Sequence, residues 1–332
     1  MGRFTGVPPA RIRSRRGSAV VAALLRRPWA MVLVVDAVLL ALAGSLVVAV
    51  SPTAPEAGKL TAPPPAAPAL PLPHPAYRAH PVNPAAFPTA ADTGARGPLQ
   101  TSGPITVDQP GALIENLDVT GEINVVAPDV TIRNVRLHGG SATWLLVVRS
   151  DTGTTALDGV SVEADAGAAV EHGIFQVGNG RLLVRRSRIL GTQDGCVCAR
   201  GSITDSFVRL GRSQNGSHND GIQSGGGTGL LIRHNTILNP NGQTSAIALF
   251  EEFGPQVDVT VEDNLLAGGG YTIYAGDGSR RPSAVRVVRN VFSRRFFPSG
   301  GAYGPATAWC ATCPGAVWSG NIWEGARDPV RP

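Results

Sequence analysis

Aspartate and histidine side chains recur at one position of a repeated, strand-like segment. His172, Asp194 and Asp220 each precede the central apolar residue of such a segment by two residues. The neighbouring segments carry, at the same position, Trp144, Ser245 and Tyr271. If successive segments stack as strands, which lie ~4.8 Å apart, His172, Asp194 and Asp220 form one line. Two carboxylates that close repel each other, so one keeps its proton and the other its charge, as the cleavage of a glycosidic bond requires.

Other polar side chains near this line are candidates for catalysis or for substrate binding. His218 lies two residues before Asp220 and is a candidate base or substrate contact. Gln223 follows the central Ile222 of its segment and is expected to face outward, where it would contact a substrate. Tyr271 stands in line with the acids and is a further candidate for substrate binding.

Two charged residues of later segments extend this set. Glu251 either borders the same groove or forms a small cation site with Asp220, for which Ca²⁺ is the candidate ion. Arg280 is a candidate partner for the carboxylate of an acidic sugar. Each has a simpler interpretation, since Glu251 also suits a solvated turn and Arg280 a charged surface.

The two candidate acids also have a purely structural interpretation. Asp194 and Asp220 are each followed by glycine, and Asp-Gly is a strong turn former. The sequence therefore leaves open whether the two aspartates face a groove or only build turns that lead into strands.

The segments that would position these side chains belong to a repeat of about 25 residues. A six-residue pattern, apolar at its first and sixth positions, begins at Ile114, Ile132, Leu157, Val184, Ile203, Ile232, Val261, Val287 and Val317. The second series of segments is centred on Leu146, Ile174, Cys196, Ile222, Ile247 and Ile273. Two series with one period predict at least two strands per repeat, with Gly-rich turns between them. Such units bury their apolar faces only by stacking on one another, which predicts a β-solenoid.

The fourth position of the six-residue pattern turns polar in successive repeats. It holds Ser187, Ser206, Asn235, Asn264 and Asn290. Buried polar groups need partners, so these side chains are expected to form a ladder of hydrogen bonds between neighbouring coils.

These repeats resemble the coils of right-handed parallel β-helix proteins of the pectate-lyase superfamily, over about Gly103 to Glu324. The segment HNDGIQSGG, followed by IRHNTI and GGGYTIYAG, is similar to a group of uncharacterised secreted β-helix proteins from high-GC bacteria. The resemblance implies an all-β fold, a right-handed parallel β-helix with about 25 residues per coil.

Asn219-Asp220-Gly221 is also similar to the N-T-D-G motif of polygalacturonases, whose aspartate is catalytic, and this implies a catalytic Asp220. The D-D, G-H-G and R-I-K motifs of polygalacturonases do not follow it, and the R-x-x-P-x-x-R pattern of pectate lyases does not occur. Neither activity therefore transfers directly.

The four cysteines form two dissimilar pairs. Cys196 and Cys198 are two residues apart in a strand and are expected to point inward as small apolar side chains. Cys310 and Cys313 lie in a turn-rich segment, and a disulfide between them is expected if this part of the chain lies in an oxidising compartment. The aromatic residues that follow Phe296 are expected to cap the last coil.

The first 98 residues are expected to lie outside the repeat domain, 99–332. Residues 29–50 are apolar apart from Asp36, and seven arginines precede them in the basic tail 1–28. This pattern favours a membrane-spanning signal anchor with a cytoplasmic tail, and a cleaved signal peptide stays open. Residues 51–98 carry 13 of the 27 prolines, which predicts an extended linker.

Composition and charge narrow the function. From Leu99 onward the chain has 19 Arg and 21 Asp plus Glu, so the repeat domain lacks the basic excess that a nucleic-acid partner needs. We therefore expect an extracellular domain, anchored to the cell membrane or secreted, that acts on a polysaccharide. The leading hypothesis is a lyase or hydrolase of an acidic or cell-wall glycan. The alternative is a non-catalytic glycan-binding or structural module of the cell surface.

Overall fold

The computed structural model describes residues 87–213, 216–276 and 280–332. The predicted tail, the predicted membrane segment and most of the predicted linker lie outside these ranges. Within them, no helix has the length and apolar character needed to cross a membrane.

Each turn of the chain contributes one strand to each of three sheets, and all strand pairs in these sheets are parallel. Short runs of alternating apolar and polar residues form strands, and the strands add to copies of themselves in the next coil. The sequence predicted at least two strands per coil, and the structure has three. The described part of the chain is therefore an all-β, parallel solenoid.

The three large sheets are called A, B and C in the order in which the chain visits them. Sheet A contains β1 (Gln100–Ser102), β4 (Leu117–Thr120), β7 (Arg136–Gly139), β10 (Ser161–Ala164), β13 (Arg188–Leu190), β16 (Phe207–Arg209), β20 (Thr236–Asn239), β24 (Leu265–Gly268), β27 (Val291–Ser293) and β30 (Ile322–Trp323). Sheet B contains β2 (Ile105–Val107), β5 (Ile123–Val125), β8 (Ala142–Val148), β11 (Val170–Gln176), β14 (Asp194–Val197), β17 (Asp220–Ser224), β21 (Ser245–Leu249), β25 (Tyr271–Ala275) and β28 (Gly304–Thr307). Sheet C contains β3 (Leu113–Glu115), β6 (Thr131–Arg133), β9 (Thr154–Asp158), β12 (Arg181–Arg185), β15 (Gly201–Thr204), β19 (Leu230–Arg233), β23 (Thr260–Glu262), β26 (Arg286–Val288) and β29 (Val317–Ser319). A small fourth sheet pairs β18 (Gly227–Thr228) with β22 (Gln256–Val257).

The six-residue pattern of the sequence is a strand, a bend and a second strand. Its first residue lies in sheet C and its sixth in sheet A, and one residue between them, the third in every repeat except the last, adopts a left-handed conformation. Asn116, Asp205 and Gly320 suit that conformation, but Arg186 and His234 also adopt it, with φ of 50° and 54°. A single left-handed residue therefore makes the corner between the two sheets.

The second series of segments forms sheet B in the predicted register. Ile174 pairs with Leu146 and Cys196, and Ile222 pairs with Cys196 and Ile247. These side chains are buried in one apolar core that runs through the solenoid. Cys196 and Cys198 are buried free thiols, as the sequence predicted. Burial and the neighbouring Cys198 raise the pKa of Cys196 well above its ordinary value.

The predicted polar ladder is present between sheets C and A. In each step a backbone N–H donates to the side-chain oxygen of the equivalent residue in the next coil, as in Ser206 N to Asn235 Oδ1 at 2.9 Å and Asn235 N to Asn264 Oδ1 at 2.9 Å. Asn264 and Asn290 repeat the contact, and both are fully buried. The ladder satisfies buried amides that an apolar side chain would leave without partners.

The last repeat lies one residue later than the sequence predicted. Trp318 pairs with Val287, and Trp323 pairs with Phe292, so these tryptophans occupy the first and sixth positions of the pattern. Val317, which the pattern took as the first position, is 39% exposed. With this register Asn321 becomes the last rung of the ladder and accepts a hydrogen bond from Asn290 N at 2.9 Å. Trp318 and Trp323 pack against the core at this end, in keeping with the predicted cap.

Residues 87–98, which the sequence places in the linker, pack along the solenoid. Phe87 is 6% exposed and lies against Leu265, Val291 and Ile322 of sheet A. The segment then crosses successive coils toward the other end of the sheet. Its hydrogen bonds to them are Thr236 Oγ1 to Pro88 O (2.6 Å), Arg188 Nη1 to Ala90 O (2.8 Å), Ala95 N to Ser161 Oγ (3.0 Å) and Arg96 N to Asn134 Oδ1 (2.7 Å). We call residues 87–98 the strap.

Candidate functional site

The predicted line of acids lies at the beginning of the strands of sheet B. His172 pairs with Trp144 and with Asp194, and Asp220 pairs with Ser245. Adjacent coils therefore bring His172, Asp194, Asp220 and Ser245 into consecutive positions, as the spacing of the segments predicted.

A bend at glycine turns these side chains to the outer face of the solenoid. The residue after each of them, Gly173, Gly195 or Gly221, faces the core, where a Cβ atom on Gly221 would meet Ile237 Cγ2 at 2.4 Å. The His172 ring in turn stacks on Phe175, with ring centroids 4.7 Å apart. Neither Asp-Gly pair forms a turn, because both residues of each pair belong to strands β14 and β17. Glycine is needed here for close packing against the core.

Both oxygens of Asp194 have partners in neighbouring coils. Oδ2 lies 3.0 Å from His172 Nδ1, and Oδ1 accepts a hydrogen bond from the backbone N–H of Asp220 at 2.8 Å. The carboxylate is thereby held in one orientation, between an imidazole and a peptide dipole.

Asp220 is the more deeply buried of the two acids. It is 1% exposed, whereas Asp194 is 8% exposed. The hydroxyl of Ser245 donates to Asp220 Oδ1 at 2.5 Å, and Ser245 is itself fully buried. Asp194, Asp220 and Ser245 therefore form a chain of contacts across three coils that continues to His172.

Aromatic rings flank this polar chain at both ends. On one side the rings of Trp144 and Phe175 stack with centroids 5.9 Å apart. On the other side Tyr271 contacts Tyr274 and Tyr303, with centroids 5.6 Å and 5.8 Å away. We call this surface the stripe, and it consists of Trp144, His172, Phe175, Asp194, Asp220, Ser245, Tyr271, Tyr274 and Tyr303.

The pKa of the Tyr274 hydroxyl reflects its position near Asp220 and among the other tyrosines of the stripe. Burial, the nearby charge of Asp220 and the neighbouring Tyr271 and Tyr303 raise the pKa of Tyr274 to about 12. The Tyr274 phenol is protonated at neutral pH and lies within electrostatic range of Asp220.

At the other end, the indole N–H of Trp144 donates to Glu122 Oε2 at 2.9 Å. Burial raises the pKa of Glu122, although the bond from Trp144 and the charge of Arg149 act in the opposite direction. The Arg149 guanidinium lies over the Trp144 ring, 5.0 Å from its centroid. This end of the stripe is therefore built by an indole fixed between an acid and a cation.

Two of the connections from sheet A to sheet B are long. Residues 210–219 precede β17, and residues 294–303 precede β28. His218 belongs to the first connection, where its Nδ1 lies 3.2 Å from Thr244 Oγ1 and Gln243 Nε2 lies 3.2 Å from its ring nitrogens. His218 thus contacts the connection that precedes β21, and these bonds serve to position that loop.

Gln223 and Tyr271 lie on the same face of sheet B but differ in exposure. Gln223 pairs with Val197 and Ala248, in the same lateral row as Phe175 and Tyr274, and is only 7% exposed. Tyr271 is part-exposed and belongs to the stripe. Tyr271 therefore presents surface to solvent, whereas Gln223 presents little.

Glu251 and Arg280 meet each other at a different place. Glu251 lies two residues beyond the last residue of β21, whereas Ser245, the partner of Asp220, is the first. Six extended residues cover ~20 Å. The backbone N–H of Arg280 donates to Glu251 Oε2 at 2.9 Å, and its guanidinium donates to Glu252 O at 2.8 Å. The two residues join a pair of loops, and the structure does not bring them to the acids.

The remaining predicted groups concern a disulfide and a cation. Cys310 and Cys313 are joined by a disulfide with an S–S distance of 2.06 Å. In the part of the chain that the structure covers, no three His, Cys, Asp or Glu side chains cluster in a way that could hold a metal ion. The cation site suggested for Glu251 and Asp220 therefore has no geometric support among these residues.

The sequence did not single out several groups of the stripe as functional. The repeat places Ser245 and Trp144 at the same aligned position as the acids, but neither residue type suggested an acid or a base. Tyr274 holds the same place relative to Ile273 as Gln223 does to Ile222, so strand alternation could have found it. Tyr303 comes from a connecting loop, and no local pattern predicts its contact with Tyr271.

Comparisons with known proteins returned no match, whether against family models, curated proteins or solved structures. The class of this protein therefore rests on its own geometry, that of an all-β parallel solenoid with an acidic and aromatic stripe on one sheet.

Proposed function

We propose that this protein is an extracytoplasmic, polysaccharide-cleaving enzyme whose active site is the stripe on sheet B. The observation that carries the proposal is the unbroken chain from His172 through Asp194 to Asp220 and Ser245, placed between two groups of aromatic rings. Aromatic faces stack on sugar rings, and a carboxylate pair supplies an acid and a base. Both elements lie on one outer face.

The two acids would have different roles. Asp220 is the more buried and lies beside a second carboxylate, so it would hold a proton and give it to the glycosidic oxygen as the bond from carbon to oxygen breaks. Asp194, oriented by His172, would face the positive charge that develops on the sugar. In hydrolysis, water then adds its hydroxyl to that carbon and returns its proton to Asp220. In elimination, a base would instead remove a proton from the sugar ring, a carbon–carbon double bond would form, and the glycosidic oxygen would leave with the proton of Asp220.

Two expectations from the sequence belong to the same proposal. The parallel solenoid would be a right-handed β-helix of the pectate-lyase type, because strand crossovers between parallel strands are right-handed with few exceptions. Residues 29–50 would anchor the chain in the cell membrane, with the solenoid outside, or direct it to secretion if they are removed.

One observation favours the alternative of a glycan-binding module without catalysis. Asp220 is 1% exposed, so in this conformation its carboxylate offers almost no surface to a substrate. Tyr303, by contrast, is 74% exposed. In the binding module, the acids would only tie coils together, and the aromatic rings would hold the glycan.

The test incubates the full chain, purified in mild detergent, with a panel of neutral and acidic polysaccharides. Reducing ends report all cleavage, and ultraviolet absorbance of unsaturated uronates reports elimination alone. Asp194→Asn and Asp220→Asn are each expected to lower the rate at least 100-fold. Asp258→Asn is the matched control, since Asp258 carries an exposed ion pair with Arg286 on sheet C.

Cleavage that survives both substitutions would show that these acids are not the catalytic pair. Tight glycan binding without cleavage by any of the proteins would establish the binding module instead.

A further inference from the structure

We infer that the stripe selects neutral glycans and excludes polymers of uronic acids, and this inference rests on the proposed glycan-binding role of the stripe. The argument concerns the charge of the described groups that would face a bound sugar chain. It narrows the substrate class that the sequence left open between acidic and neutral cell-wall glycans.

Carboxylic acids outnumber basic groups along the stripe, where His172 is the one base among the residues that define it. Asp194 and Asp220 lie in its centre, and Glu122 holds the indole of Trp144 at one end. A uronate chain bound along the stripe would place a carboxylate on every sugar and bring some of them close to Asp194, the acid that the proposed mechanism keeps charged. Like charges at that distance repel, and partial burial weakens the screening by water.

Arg149 and His172, the basic groups beside Trp144 and Asp194, are directed at groups of the protein. Arg149 lies over the Trp144 ring and donates from Nε to Asn124 Oδ1 at 3.2 Å. His172 faces Asp194 Oδ2 at 3.0 Å. Recognition of a carboxylate typically uses the two-pronged donor pattern of an arginine. The described stripe offers aromatic rings, hydroxyls and carboxylates in its place.

Arg280 was the residue that the sequence assigned to an acidic sugar. Its guanidinium donates to the backbone oxygen of Glu252, and its backbone is bonded to Glu251. These bonds hold it beyond the far end of β21, away from Asp220. The positive partner that an acidic substrate requires is therefore not supplied by this residue.

The groups that remain suit a neutral sugar chain. Tyr271, Tyr303 and Trp144 present rings to the C–H faces of sugars. Trp144 and Tyr271 are separated by five strand steps, about 24 Å at the usual strand spacing. The stripe can thus contact several sugars of a chain that runs along the solenoid axis.

The inference also decides between the two reaction types. Elimination requires a carboxylate on the sugar to acidify the neighbouring C–H bond, and a neutral sugar lacks that carboxylate. Cleavage of a neutral chain is therefore hydrolysis, in which one water supplies a hydroxyl to one fragment and a proton to the other.

The experiment compares pairs of oligosaccharides that differ only by a carboxylate at the sixth carbon. The probes are β-1,4-mannopentaose against its mannuronate counterpart, and cellopentaose against its glucuronate counterpart. Binding to the full chain in mild detergent is measured by calorimetry at low and at high salt. At least one neutral probe is expected to bind at least 10-fold more tightly than its acidic counterpart. Added salt is expected to reduce this difference in affinity, because it screens the repulsion between carboxylates.

Variants keep this test independent of catalysis. Tyr303→Ala removes an exposed ring and is expected to weaken binding of the neutral probe about 10-fold. Glu122→Gln preserves an acceptor for Trp144 and is expected to improve binding of the acidic probe only. Equal or tighter binding of the acidic probes would overturn the inference and leave the proposed glycan site in place. Binding of neither class, or binding unchanged in Tyr303→Ala, would overturn the inference together with the proposed site.

Discussion

Replacing Asn264 by alanine tests whether the buried polar ladder holds the coils together. Asn264 Oδ1 accepts bonds from the backbone N–H and the side-chain amide of Asn235, both at 2.9 Å. Its own amide donates to Ile232 O and to Asn290 Oδ1, also at 2.9 Å. Alanine removes all four bonds and leaves the buried N–H of Asn235 without its side-chain acceptor.

The magnitude follows from the two kinds of loss. An orphaned buried donor costs about 1–3 kcal/mol, and each of the other bonds contributes about 0.5–1.5 kcal/mol. Asn264→Ala is therefore expected to lower the free energy of unfolding by about 4 kcal/mol. That is a large share of the total stability of an ordinary domain.

The assay is urea unfolding of the full chain in mild detergent, followed by circular dichroism. Asn179→Ala is the matched control, because Asn179 is exposed and bonds only to Asp151 Oδ1 through its side-chain amide in this structure. The control is expected to change the stability by no more than about 0.5 kcal/mol. A loss for Asn264→Ala that does not exceed the control would refute the idea that the ladder stabilises the stacked coils.

Three further predictions concern the strap, a phenol and the disulfide. Phe87→Ala removes the apolar contact of the strap on sheet A and is expected to lower the free energy of unfolding by about 3 kcal/mol. It should also make residues 87–98 sensitive to protease. Unchanged resistance of this segment to protease would contradict a packed strap. In a spectrophotometric titration, the Tyr274 phenol is expected to ionise near pH 12, and Tyr274→Phe should abolish that phase. Because its folded pKa is raised, Tyr274 contributes stability that is present below pH about 10 and is lost as the pH rises toward 12. A phenol that titrates at its ordinary pH would exclude its burial near Asp220. Replacing both Cys310 and Cys313 by serine is expected to lower the free energy of unfolding, measured with heat or urea, by only about 2 kcal/mol, because the disulfide closes a very short loop. Loss of the folded state would show that the disulfide contributes more than this.

The period of the sequence predicted most of the fold because stacking leaves little freedom of register. Once Ile174, Cys196 and Ile222 are recognised as equivalent, every residue beside them is aligned as well, and His172, Asp194 and Asp220 fall into line. The third strand escaped prediction because the corner between sheets C and A is a single left-handed residue. Arg186 and His234 adopt that conformation, and neither residue type signals a turn.

The direction of the acids could not be predicted from strand alternation. Asp220 and Ile222 are two residues apart, so a regular strand would send both side chains to the same face. The bend at Gly221 instead turns Asp220 outward while Ile222 stays in the core. The assembly of Tyr303 with Tyr271 also depends on a connecting loop, whose path depends on tertiary contacts rather than on a periodic pattern.

The solenoid fixes the spacing of the candidate site more rigidly than its loops could. Asp194 and Asp220 lie on neighbouring strands, β14 and β17, which pair two residues further along at Cys196 and Ile222, so backbone pairing rather than a flexible connection limits their separation. The bond from Asp220 N to Asp194 Oδ1 makes the same backbone part of the site. Each further coil adds one side chain at that spacing, as Ser245 and Tyr271 do. Substitutions at these aligned positions of successive coils can therefore alter the chemistry or the ligand without altering the backbone geometry. This explains how one repeated backbone can carry an acid pair between two groups of aromatic rings.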